Sequence, residues 1–215
     1  MASEERQIVL TDGQSVALRR SARARRMILR VPRDGSGPVL TLPSHVPISE
    51  GRAFAESRAA WLAGACDRVP APQVVAPGAL LPVEGRPLLL VPRDRPAGAA
   101  VARLLRHLAM TRLHAATDRH AAALGRAPAG IVLRDTRSRW GSCTAAGRIM
   151  YSWRLAMAPP AILDYVAAHE VAHLRHMDHS PRFWATVAEL LPDHAERRAW
   201  LRLHGPALMQ WRFRD

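Results

Sequence analysis

Residues 160–184 read PAILDYVAAHEVAHLRHMDHSPRFW, and this stretch decides both the fold and the chemistry to look for. Pro159-Pro160 signals a helix start, because proline fits the first helical turn and is excluded from the interior, so a helix is expected over 161–176. Inside it, His169-Glu170-Val171-Ala172-His173 forms an HExxH motif. Two histidines four residues apart project from one helical face toward a common metal ion. At about 100° per residue, His173 falls about 40° from His169, while Leu163, Ala167, Val171 and Leu174 gather on the opposite side. The helix should therefore have a buried back and a functional front. Glu170 projects between these faces, within reach of a water on the ion but poorly placed to be a third ligand.

A catalytic zinc usually takes three protein ligands and keeps one position for water, so a third ligand is needed. His176 and His179 are the candidates. His176 shares the helical face of the first two, but three ligands on one straight helix cannot easily surround a tetrahedral ion. His179 is favoured, because it follows Met177-Asp178 and precedes Ser180-Pro181, which reads as the N-cap and first residue of another helix; the chain turns there and can bring the ring back.

Outward from the motif, 131–139 is expected to be a strand, 141–147 its connecting loop, and 148–155 the returning strand with Ile149, Tyr151, Trp153 and Leu155 on one face. The strand 131–139 offers an edge for an extended substrate, with Trp140 and Ser142 beside it. Downstream, 183–191 forms an amphipathic helix, and Asp193 with Glu196 reads as a capping box for a last helix ending before Gly205-Pro206. Trp184, Trp200, Leu201 and Trp211 read as packing residues. Upstream lie a long helix over 99–124 stopped by Gly125, a hairpin over 80–91 around Glu84-Gly85-Arg86-Pro87, and a proline-rich boundary at 70–77. Before that come a helix over 50–67 capped by Ser49 and short strands at 7–11, 15–18, 27–31 and 39–42, the first two joined by Asp12-Gly13. The fold class is α+β: a strand-rich segment plus helix over 1–76, then a domain over 77–215 with a small antiparallel sheet, the HExxH helix and supporting C-terminal helices, unless the two form one continuous domain.

The chain has 215 residues, 48% of them hydrophobic and 23% charged, which suits one globular domain with a small subdomain and excludes a largely disordered protein. Arginine interrupts every apolar stretch before it reaches the length of a membrane span, and the opening residues do not resemble a secretory signal, so a cytoplasmic protein is expected. Cys66 and Cys143 form no CxxC pattern, so any metal must be held by histidine or carboxylate. No separate Cys-His arrangement makes Cys143 a nucleophile. The net charge of +13 suggests an anionic partner, but all 31 basic residues are Arg, alongside abundant Ala and Pro, which reads as much as coding bias as selection for phosphate.

Arg137-Ser138-Arg139-Trp140-Gly141-Ser142-Cys143, Trp153-Arg154-Leu155 with Ala158-Pro159-Pro160, Asp164-Tyr165-Val166, the HExxH residues and His179-Ser180-Pro181-Arg182-Phe183-Trp184 together resemble the YgjP-like family of zinc metallopeptidases, relatives of SprT-like proteases. The likeness is strongest over 134–184 and weaker in the arginine-rich strands and helix before Trp61. It implies a zincin-like catalytic domain, His169, His173 and His179 as zinc ligands, and Glu170 as the catalytic glutamate. The gap between His173 and His179 equals the metzincin gap but lacks its glycine, which argues against a metzincin.

The chemistry expected is metal-assisted hydrolysis of a peptide or unfolded protein, with Glu170 taking a proton from water and passing it to the leaving amine. Arg139, Tyr151 and His176 are the candidates for stabilising the oxyanion. Zn2+ is the expected cofactor, although histidine sites also accept Co, Ni and Mn. Two alternatives stand beside this reading. One is metal-dependent phosphoanhydride hydrolysis with Arg137, Arg139 and Arg154 on the phosphates, against which the lack of a Gly-rich phosphate loop counts. The other is a non-enzymatic, zinc-stabilised module binding nucleic acid through its arginine-rich surface, against which Glu170 counts, because a closed structural site needs no carboxylate at an open position.

Overall fold

The computed structural model describes residues 7–32, 35–69, 72–90, 97–136 and 138–213. It divides into two compact units, 1–71 and 72–215, and the division falls within the proline-rich stretch. Among the described residues, no helix is long and apolar enough to cross a membrane.

The first unit is a four-stranded sheet with two helices. Strands β1 (Gln7–Val9), β2 (Ser15–Ser21), β3 (Ile28–Arg30) and β4 (Val39–Pro43) lie in the order β1-β2-β4-β3. The Asp12-Gly13 turn forms as expected: Gly13 takes the left-handed conformation (φ 83°) and Asp12 Oδ1 accepts the Gln14 N–H at 2.9 Å. Ile8, Val16, Leu40, Ala55 and Leu62 make the core. The single helix expected over 50–67 is two, α1 (Ile48–Glu56) and α2 (Ala59–Asp67), and the first starts after Pro47 instead of Ser49. The break lies at Ser57-Arg58, where the Ser57 hydroxyl donates to the Phe54 carbonyl at 2.8 Å and Arg58 leaves helical geometry (φ −117°, ψ 10°).

The second unit is built round one buried helix. Its elements are β5 (Gln73–Val74), β6 (Leu80–Val83), β7 (Arg86–Leu89), α3 (Ala97–Leu124), β8 (Gly130–Arg134), β9 (Gly141–Cys143), β10 (Arg148–Ser152), a 3-10 turn (Trp153–Met157), α4 (Pro160–Ala172), α5 (Pro181–Leu190), α6 (His194–Met209) and β11 (Trp211–Arg212). The β6–β7 hairpin turns at Glu84 (φ 48°) and Gly85 (φ 78°), the pair of left-handed residues that a two-residue hairpin loop needs. On α3, Ala102, Leu105, Ala109, Leu113 and Ala116 recur at helical spacing and are buried. They pack on α4, whose Ile162, Leu163, Tyr165, Val166, Ala167, Ala168, Val171 and Ala172 are buried all round the helix.

Several expectations are corrected here. The sheet is not a simple antiparallel pair: its order is β8-β10-β9, with β10 parallel to β8 and antiparallel to β9. The tight turn is the one between β9 and β10, where Gly147 (φ 75°) reverses the chain, so 141–143 is a strand where a loop was expected. Helix α4 ends at Ala172 with His173 as its C-cap, because the next turn tightens into Leu174 N–H to Val171 and Arg175 N–H to Ala172 bonds. The Asp193–Glu196 capping box does not form; Asp193 accepts from Arg197 instead, at 2.9 and 2.6 Å. Helix α6 continues through Pro206 to Met209.

A buried arginine closes the unit. Arg154 is 1% exposed, donates to Asp135 Oδ1 at 2.7 Å and to the carbonyls of Leu208 and Trp211 at 3.3 and 2.9 Å, and lies over the rings of Trp153 and Phe213. It joins the end of α6 and β11 to the 3-10 turn. Replacing it strands two buried carbonyls and a carboxylate, so Arg154→Ala is expected to cost about 2–4 kcal/mol of stability, read as a lowered midpoint in denaturant unfolding.

Candidate metal centre

Three imidazoles converge at the end of α4. The ligand nitrogens of His169, His173 and His179 all lie within 4.8 Å of one another, and Nε2 of His169 is 3.2 Å from Nε2 of His179. For zinc–nitrogen bonds of about 2.0–2.1 Å, two tetrahedral ligands stand about 3.3 Å apart, so this spacing fits a shared ion. His176 is not in the group: the early end of α4 moves it off the helical face of His169 and His173. Its carbonyl instead accepts the His173 Nδ1–H at 2.9 Å, which leaves Nε2 of that ring as the free donor.

The surroundings hold these rings in place and disfavour the charged form of His169 and His173. Phe183 of α5, fully buried, stacks on His173 at 4.4 Å and meets His169 and His179 edge-on. Burial, followed by the neighbouring His173 and His179, depresses the His169 pKa to about 3, and burial also lowers that of His173. Neutral rings present lone pairs, as a cation requires. The turn carrying His179 is tied to α3: Arg126 donates to the Leu174 carbonyl at 2.5 Å and Arg175 to that of Leu124 at 3.2 Å. Asp178 then accepts the Ser180 N–H at 3.1 Å as the chain enters α5.

Glu170 is 4% exposed, its Oε2 buried without a hydrogen-bond partner. Burial pushes its pKa up to about 8, against the partial pull of the Arg139 charge. Its carboxylate rests on the backbone of β9: a Cβ at Gly141 would collide with Oε1 and lie 2.7 Å from Cγ and Cδ. The residue type at 141 is thus set by the glutamate. Beside them opens a cleft of about 210 Å3 lined by Trp140, Gly141, Tyr165, Val166, His169, Glu170 and Leu201. Three converging imidazoles, with an uncompensated buried carboxyl oxygen beside them, suit a divalent cation.

The remaining candidates separate. Arg139 is exposed and its charge acts on Glu170. Tyr151, expected as a possible oxyanion donor, is fully buried in β10; it shares a 2.9 Å hydrogen bond with Thr117, and burial raises its pKa, so its hydroxyl is occupied within the core. Arg154 is buried as described, which removes it from any phosphate-binding set, and Arg137 lies outside the described residues. Burial and the Glu170 charge raise the Cys143 thiol to about 11, so it stays protonated. Of the two sheet edges, β9 and not the expected 131–139 segment abuts Glu170. Sequence reasoning missed Gly141, Tyr165 and Arg198. Tyr165 precedes His169 by four residues and so shares its face; Arg198 stacks on Trp184 at 4.3 Å, and its charge is felt by His169 and Tyr165.

A family model described as YgjP-like, metallopeptidase domain matches residues 92–204, which places the chain among the metallopeptidases and so among the hydrolases. The chain belongs to the YgjP-like family. Among solved structures it is similar to the metallopeptidase zymogen of Pyrococcus abyssi abylysin, with 20% identity over 42% of this chain and 94% of that one and a TM-score of 0.38. No curated protein sequence matches it.

Two outcomes follow from the burial of Glu170. In metal-free protein, the folded state keeps this proton up to about pH 8 while the unfolded chain releases it near its ordinary value of 4.5, so this group's effect on stability worsens as pH rises through that window. Thermal melts in chelator should therefore show Glu170→Gln gaining on wild type from pH 4.5 to 8. Gly141→Ala should displace the carboxylate and lower kcat by about tenfold or more while metal content by mass spectrometry stays unchanged.

Proposed function

We propose that the chain is a zinc-dependent metallopeptidase with a zincin-like catalytic domain, in which His169, His173 and His179 hold the ion and Glu170 is the general base. The observation that carries this reading is the buried carboxyl group of Glu170, its Oε2 without a hydrogen-bond partner, beside three converging imidazoles. A bound zinc ion supplies a Lewis acid that polarises the scissile carbonyl and makes water nucleophilic near neutral pH. Glu170 takes the proton of the attacking water and delivers it to the leaving amine, its proton affinity raised by burial and moderated by Arg139. Arg139 is the second electrophile for the developing oxyanion, since it is exposed at the site and its charge reaches the carboxylate.

The substrate is an extended peptide or unfolded segment paired with the free edge of β9, which brings a scissile bond beside Glu170. The walls of Trp140, Tyr165 and Leu201 exclude water from one side and suit an apolar side chain.

Metal content and hydrolysis test this together. Glu170→Gln should retain about one zinc per chain and lose peptide hydrolysis by about a hundredfold or more, the scale of a lost general base. His179→Ala should lose zinc as well as activity. Full hydrolysis by zinc-loaded Glu170→Gln would overturn the mechanism, and undiminished zinc in His179→Ala would overturn the ligand set.

A further inference from the structure

The first unit carries a groove that the peptidase chemistry does not use. It encloses about 390 Å3 between β3 and the corner joining α1 to α2, and its walls include Arg26, Ile28 and Leu29 on one side and Phe54, Arg58 and Trp61 on the other. Three features mark it as built to receive a chain. Among the described residues strand β3 is an edge, paired only with β4, so its outer backbone groups have no strand partner there. Large apolar side chains stand open at its rim, with Trp61 49% and Ile28 44% exposed. Arg26 and Arg58 have no acidic partner among the described residues, and no carboxylate lines the groove. The surrounding segment 19–30 holds six arginines and no acidic residue.

An edge strand facing a helix across an apolar groove is the arrangement in which a peptide adds as one more strand, its backbone completing the ladder and alternate side chains entering the groove. The positive rim selects for acidic side chains on the added strand and repels a second copy of β3, which is flanked by Arg26 and Arg30. Single-stranded nucleic acid fits less well, because it makes no use of a strand edge, and the two aromatic rings of the groove, Phe54 and Trp61, both stand on its helix side, opposite the aliphatic side chains of β3.

We propose that this groove binds an extended acidic polypeptide segment by adding it to β3, with Trp61 as the apolar anchor and Arg26 and Arg58 as the charge contacts. Binding is independent of the catalytic centre; that the segment belongs to a substrate rests on the peptidase reading above.

The test measures fluorescence anisotropy of a labelled decapeptide of alternating valine and glutamate on the 215-residue chain carrying Glu170→Gln, so that the probe is not consumed. Trp61→Ala and the exposed pair Arg26→Glu/Arg58→Glu should each weaken binding by about tenfold or more, the effect of losing an anchor. The charge-reversed pair should instead favour a valine-lysine peptide. N-methylation at alternate residues of the probe should abolish binding, because the ladder needs those N–H groups. No binding of the probe, equal binding by the groove variants, or equal binding of the N-methylated peptide would overturn the proposal. A decameric oligothymidylate that binds and is lost on the same variants, where the peptide is not, would overturn it in favour of nucleic acid. Hydrolysis of a short uncharged peptide, measured with Glu170 intact, separates the two readings: groove variants should leave it unchanged. A chain that binds the decapeptide but hydrolyses no peptide would sink only the peptidase reading, and hydrolysis without groove-dependent binding would sink only this one.

Discussion

The Glu170 carboxyl group lies out of water against the backbone of Gly141, and a charged carboxylate in that position is costly unless a cation or a proton accompanies it. Helix α4 can hold the group there only because it is buried on nearly every side, which in turn requires α3, the 3-10 turn, α5, α6 and β9 around it. The absence of a side chain at 141 lets sheet and helix approach closely enough to exclude water from that oxygen. The second unit can therefore be understood as a shell that keeps one carboxylate dry and brings three imidazoles together beside it.

Arginine does much of the work of closing that shell. Arg154 satisfies carbonyls at the end of α6 and in β11; Arg126 and Arg175 tie the turn after α4 to α3; Arg119 and Arg197, with His120, converge on Asp164 and link α3, α4 and α6. Burial opposes the ionised form of Asp164, yet the hydrogen bonds and charges around it hold its pKa at about 2. A planar guanidinium with five donors suits such sites better than a single ammonium would. The charge of +13 thus includes arginines spent on internal carbonyls and carboxylates, and it overstates how much of the surface faces a partner.

Features encoded by spacing were legible before the fold was known. The HExxH helix, the long helix α3, the Asp12-Gly13 turn and the Glu84-Gly85 hairpin depend on neighbours within a few residues, and those neighbours are visible in the chain. The parallel pairing of β8 with β10 and the strand at 141–143 depend on what each segment meets from elsewhere. Tyr151 illustrates the difference: alternation placed it on an inward strand face, but only the packed α3 brought Thr117 to its hydroxyl.

By itself the sequence determined that His169 and His173 share one helical face with Glu170 near them, because two imidazoles one helical turn apart point the same way in any helix. Tertiary structure alone decided that α4 stops in time for His179 to return, that the His176 carbonyl orients His173, and that Gly141 shields Glu170. The physical reason is that direction along a helix is local, whereas burial, proton affinity and convergence are set by distant parts of the chain meeting at one point.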